Sequence, residues 1–182
     1  ANFFIMCLSF RGMVTMASSD EYILANTHSF DLSSSIIVLA IHIYHMLYFQ
    51  IDQLSLWMHH IIMTFIQLLP FFNDEDQDFL MLTDYMLFFL CGLPGMIDYH
   101  CMNLVYSGKM SKIQEKNINN YLNTYIRAPG ILYGAFYVYR KYVNGEMSAF
   151  HALPSIASFI WNAQFFANSV AVSYGYNLAL EH

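Results

Sequence analysis

The chain has 182 residues, of which 57% are hydrophobic and 18% aromatic but only 11% charged, less than half the roughly 25% usual for soluble globular domains. A formal net charge of −6 with seven Lys and Arg excludes the basic surface that nucleic-acid phosphates demand, so no nucleic-acid partner is expected. The three cysteines, Cys7, Cys91 and Cys101, lie in or near apolar stretches and fit neither a disulfide framework nor a zinc pattern.

The first apolar segment, Asn2 to Ala17, is short, carries Arg11 and follows no initiating Met. It is expected to be a truncated or processed first helix. The second, Ser33 to Ile51, contains His42-Ile-Tyr-His45, and Asp52 follows it. The third, Leu54 to Phe72, is interrupted by His59-His60. An acidic connection, Asn73-Asp-Glu-Asp-Gln-Asp78, leads to the fourth, Phe79 to Val105. A basic one, Ser107-Gly-Lys-Met-Ser-Lys-Ile-Gln-Glu-Lys116, leads to the fifth, Tyr121 to Val143, and the sixth runs from Phe150 to Leu180. Segments near the 20 residues needed to cross hydrocarbon predict an all-α, polytopic transmembrane bundle of about six helices, with residues 1–182 forming one domain.

Loop charge predicts orientation. The positive-inside rule puts Lys109, Lys112 and Lys116 on the cytoplasmic side, or the matrix side of a mitochondrial membrane. Tyrosines near segment ends, among them Tyr99, Tyr106, Tyr121 and Tyr142, suit the interfacial belts. Gly92-Leu-Pro-Gly95 and Ala128-Pro-Gly130 sit inside the fourth and fifth segments, where Pro removes a backbone donor and clashes with the preceding turn. Both helices are expected to kink or unwind there, which is tolerated at membrane depth beside protein or a cavity.

Polar groups inside such segments carry the functional expectations, because each is costly in lipid unless it faces protein or water. Neighbouring helical positions diverge by about 100°. One of His59 and His60 is therefore expected to face a cavity and the other to hydrogen-bond to an adjacent helix. His42 and His45, three residues apart on one face, form the only pair with metal-ligand spacing on a single helix. One such pair is too few for a histidine-box oxidase, and no metal or other cofactor is expected apart from bound phospholipid or another lipid. Asp98 and Arg127, counted from the basic loop, fall at similar depth and are expected to form a buried ion pair.

Asp52-Gln-Leu-Ser-Leu-Trp-Met-His-His60 resembles the histidine motif of the TLC-domain family, six-to-eight-helix membrane proteins that include ceramide synthases, translocon-associated proteins and lipid regulators. Leu90-Cys-Gly-Leu-Pro-Gly-Met-Ile-Asp-Tyr99 is similar to the family's next helix, where Glu-Leu-Ser-x-Pro-Phe is frequent. Asn123-Thr-Tyr-Ile-Arg-Ala-Pro-Gly130 is similar to its Arg-bearing helix, and Trp161-Asn162 to a late helix with Asn near Trp. The resemblance runs from about Phe30 onward. In the synthases His-His is followed by a helix bearing His-Asp. Here Leu82-Thr-Asp-Tyr-Met86 aligns Asp84 but places Thr83 at the histidine. The resemblance thus implies a non-catalytic TLC-like protein that binds or organises membrane lipid, or serves as an accessory subunit beside other membrane subunits. The alternative is a ceramide-synthase-like N-acyltransferase in which His59 or His60 acts with Asp84. It implies the endoplasmic reticulum, with the mitochondrial inner membrane as the alternative.

Overall fold

A computed structural model describes residues 1–18, 30–48, 54–72 and 77–180; the expectations placed on Asp52 and on most of the acidic connection lie outside them. Among the described residues the architecture is all-α, with six helical rods. These are α1 (Asn2–Ala17), α2 (Ser33–Tyr48) and α3 (Leu54–Leu68, closed by a 3-10 turn Leu69–Phe72). The rod α4 runs through Gln77–Leu87, Phe88–Gly92 and Leu93–Tyr106, α5 through Lys112–Leu122, Asn123–Arg127 and Ala128–Val143, and α6 over Ala149–Leu180.

Local chemistry fixes where the long rods begin and end. At the end of α4, Gly108 takes a left-handed φ of 70°, which glycine adopts without strain. This lets the Lys109 N–H reach back to the Leu104 carbonyl at 2.8 Å, closing the helix in a Schellman turn. Ser111 then caps α5: its hydroxyl accepts from the Gln114 N–H while the Gln114 side chain accepts from the Ser111 N–H, a capping box. Two orphan donors are satisfied at once, so α5 starts at Lys112, well before the Tyr121 read from hydropathy. Polarity of the stretch from Lys112 to Asn120 hid the helix; the cap forms it.

Both proline motifs do perturb their helices. A π-turn over Phe88–Gly92 precedes Pro94, with the Leu93 N–H bonded to Phe88 five residues back. A second over Asn123–Arg127 precedes Pro129, with the Ala128 N–H bonded to Asn123. Each widens the helix one residue before the ring that cannot donate, a usual way of absorbing proline's missing N–H. Where α4 meets α5, a Cβ on Gly130 would stand 2.3 Å from a ring carbon of Phe89, so only a bare backbone fits. The Tyr85 hydroxyl donates to the Gly130 carbonyl at 3.0 Å and ties the two rods at this level.

The largest core cluster joins Met16 of α1, Met63 of α3, Leu82, Met86 and Leu90 of α4, Ile131 and Val138 of α5 and Phe159 of α6. Ile131, Val138 and Met63 are at most 1% exposed, and truncating such a side chain to Ala costs on the order of 2–5 kcal/mol through the cavity it leaves. Among the described residues one rod, Gln77–Tyr106 at 30 residues, is long and apolar enough to cross a membrane by itself. The other apolar helices, Asn2–Ala17, Ser33–Tyr48 and Leu56–Leu68, are shorter. Of the several crossings read from sequence, length and apolarity among the described residues support this one.

Candidate functional site

The proline in α4 creates the first polar feature of the site. In a regular helix the N–H of residue 94 would bond to the carbonyl of Leu90, but Pro94 has none to give. That carbonyl instead accepts the Arg127 guanidinium of α5 at 2.6 Å. Arg127 is 9% exposed. It also donates to the Asn123 side chain at 3.3 Å and lies 3.5 Å over the Phe166 ring of α6, a cation–π contact. Its Nε has no partner, and among the described residues it makes no ion pair.

The expected Asp98 and Arg127 pair does not form. Asp98 accepts instead from the Asn119 amide. The earlier start of α5 is the reason: Asp98 stands nine residues before Ser107 and Asn119 eight after Ser111, whereas Leu90 and Arg127 stand seventeen and sixteen from the same turn. Both pairs obey the antiparallel register, and Arg127 lies about 12 Å farther along the bundle than Asn119.

Arg127 ends a ladder on one face of α5. Glu115, Asn119, Asn123 and Arg127 recur every four residues and all are buried. Asn119 donates to Glu115 at 2.6 Å, Asn123 to the Asn119 carbonyl at 2.9 Å, and Lys116 pairs with Glu115 at 3.1 Å. The sequence carried this signal as Glu-x-x-x-Asn-x-x-x-Asn-x-x-x-Arg, a polar stripe at helical period, which a boundary set at Tyr121 cut in two.

On the far side stands a histidine cluster. His42 of α2 and both histidines of α3 converge: the His42 ring centroid is 5.8 Å from that of His59 and 5.4 Å from that of His60, and the latter two are 5.3 Å apart. His45 stacks edge-on against His60 at 5.4 Å. The expected division of labour between His59 and His60 does not occur, because both rings turn toward His42. Nor do they bond to neighbouring helices: His59 Nδ1 and His60 Nδ1 are buried without a hydrogen-bond partner. His59 packs instead among α6 aromatics, parallel to Phe165 at 5.8 Å and edge-on to Phe166 at 5.1 Å. His42 pairs its Nδ1 with the Val38 carbonyl at 2.9 Å.

Between ladder and cluster lies a cavity of about 530 Å³, lined from all six helices. His42, His45, His59, His60, Asn123 and Arg127 face one another across walls of Val38, Ile41, Leu56, Leu90, Phe165 and Val170. Asp98, Tyr99 and Lys116 line it as well. Asp84 does not. Its carboxylate accepts the hydroxyl of Ser34 on α2, and it packs where Gly12 of α1 approaches α4. The arrangement therefore brings His59, His60 and Arg127 around one cavity, leaves Asp98 on its wall, and sets Asp84 apart. Thr83 bonds its hydroxyl to the Phe79 carbonyl one turn back, at 2.8 Å.

Comparison of the chain with protein-family models, with curated proteins and with solved structures returns no match.

Proposed function

We propose that this chain is a polytopic, TLC-like membrane protein without acyltransferase activity that holds one anionic lipid in the six-helix cavity. The carrying observation is the buried Arg127 guanidinium, with no carboxylate paired to it, in a cavity that also offers the apolar walls of Val38, Ile41, Leu56, Phe165 and Val170. A lone charge removed from water is expensive, and an anionic headgroup supplies the missing counter-charge while its acyl chains occupy the apolar walls. The volume fits the 300–1,000 Å³ common for small-molecule sites. Outward-facing Phe3, Phe4, Leu47, Phe65, Phe136 and Val172, each more than half exposed, form an apolar exterior, and lipid is the solvent that exterior suits.

The alternative, an N-acyltransferase, lacks support from the geometry: Asp84, its orienting carboxylate, is engaged by Ser34 away from both histidines. On the family resemblance alone, the expected membrane is the endoplasmic reticulum.

The test is native mass spectrometry and phosphate analysis of protein purified in mild detergent. We expect about one anionic phospholipid per chain, retained in an Asn162→Ala control and lost in Arg127→Met, with both variants keeping wild-type helical circular dichroism. Protein that carries no lipid, or Arg127→Met protein that keeps the same anionic lipid, would overturn the proposal.

A further inference from the structure

We propose that His42, His59 and His60 together bind one divalent transition-metal ion, of the nitrogen-preferring kind represented by zinc, on the cavity side opposite Arg127. Each imidazole offers one nitrogen, and the three lie within 4.8 Å of one another. His42 and His59 are buried and His60 is half-buried. Zinc bonds imidazole nitrogen at about 2.0–2.1 Å with tetrahedral angles, which sets ligand nitrogens roughly 3.4 Å apart. Closing the remaining gap takes ring rotations about the side-chain bonds, with the backbones of α2 and α3 already in place.

Two further observations point to an ion in preference to a packing cluster. First, the Nδ1 atoms of His59 and His60 are shut off from solvent and lack any hydrogen-bond partner. Buried polar atoms are ordinarily satisfied. An ion held between the rings satisfies whichever of those nitrogens ligates it. Second, the Val38 carbonyl beside His42 Nδ1 holds a proton on that nitrogen and leaves Nε2 its lone pair. This is the backbone-carbonyl support by which metal-bound histidines are commonly oriented.

The donor set narrows the ion. Three imidazoles, with neither carboxylate nor thiolate in the group, select zinc, copper, nickel or iron over magnesium or calcium. Three protein ligands leave a fourth position, and the cavity that His42, His59 and His60 all line supplies the room for an exogenous ligand there. The pair His42 and His45 alone is too small a set; the second helix completes it. His45 reaches His60 by ring contact but stands outside the ligating group.

The experiment uses the full chain in detergent, purified without a histidine tag and stripped with chelator. Zinc is then titrated against a competing chromophoric chelator, and bound metal is counted by elemental analysis after gel filtration. We expect about one zinc per chain. Each of His42→Gln, His59→Gln and His60→Gln should weaken binding by more than about 100-fold, beyond the loss typical of an outer-shell change, while His45→Gln and His151→Gln keep it. Cobalt substitution should give the visible absorption of a tetrahedral site. Wild-type protein that takes up no zinc overturns the proposal whatever the variants do, as does zinc bound equally by His59→Gln protein. Because the readout is metal content, its failure is distinct from a failure to retain lipid.

Discussion

Arg127, Leu90 and Pro94 form a unit whose coupling can be measured. Pro94 leaves the Leu90 carbonyl without its helical donor, and Arg127 fills the vacancy at 2.6 Å from another rod. Arg127→Met removes that donor and orphans a buried carbonyl, a penalty of about 1–3 kcal/mol, although loss of an unpaired buried charge acts in the opposite direction. The net sign of the single variant is therefore a poor readout. Pro94→Ala restores an N–H that can bond to Leu90 within α4. In the wild type that donor meets a carbonyl already satisfied; in Arg127→Met protein it rescues an orphan. Pro94→Ala should thus be less destabilising in the Arg127→Met background than in the wild type, by about 1–3 kcal/mol. The assay is a double-mutant cycle on reversible unfolding in detergent, followed by circular dichroism. A Pro94→Ala effect equal in both backgrounds to within about 0.5 kcal/mol would refute the claim that Arg127 substitutes for the missing helix bond.

A Cβ on Gly12 would stand 2.4 Å from the Asp84 Cβ and 2.9 Å from the Met81 carbonyl, whereas one on Gly175 meets nothing within 4 Å. Gly12→Ala should therefore cost about 1–3 kcal/mol through forced separation of α1 from α4, and Gly175→Ala should be neutral or stabilising by up to about 1 kcal/mol; thermal unfolding of the two variants side by side measures the contrast. At the end of α5, hydrogen bonds from Lys141 and Asn144 hold the Glu146 carboxyl below its ordinary 4.5. A lowered folded value means the contribution is complete above about pH 4.5 and fades as pH falls through the folded value, so stability of Glu146→Gln and wild-type protein should differ at pH 6 and converge in strong acid. Purified chain given a sphingoid base and acyl-CoA should form no amide, since Asp84 is bound to Ser34; product that vanishes in His59→Ala protein would contradict this. Asn119→Leu should strand Asp98 and leave Glu115 with Lys116 alone, and destabilise by more than Asp98→Asn does.

Composition and hydrophobic patterning alone determined the helical class and, among the described residues, the number of rods and five of the six approximate spans, because apolar runs punctuated by Gly, Pro and Ser admit few other readings. They determined the proline sites as well, since a missing N–H is a property of the residue and each of Pro94 and Pro129 carries a π-turn just before it. The start of α5 was legible in Ser111 and Gln114 and was missed because hydropathy outweighed capping chemistry; that one boundary shifted the register and misassigned Arg127's partner. What only the tertiary structure decided is which side chains meet. The convergence of His42 on His59 and His60 depends on the rotation of α2 against α3, and the choice of Ser34 over the histidines by Asp84 depends on how closely Gly12 lets α1 approach α4. Helical periodicity assigns a residue to a face of its own helix. Which neighbouring helix that face meets is set by packing between rods distant in sequence, and no local pattern encodes it.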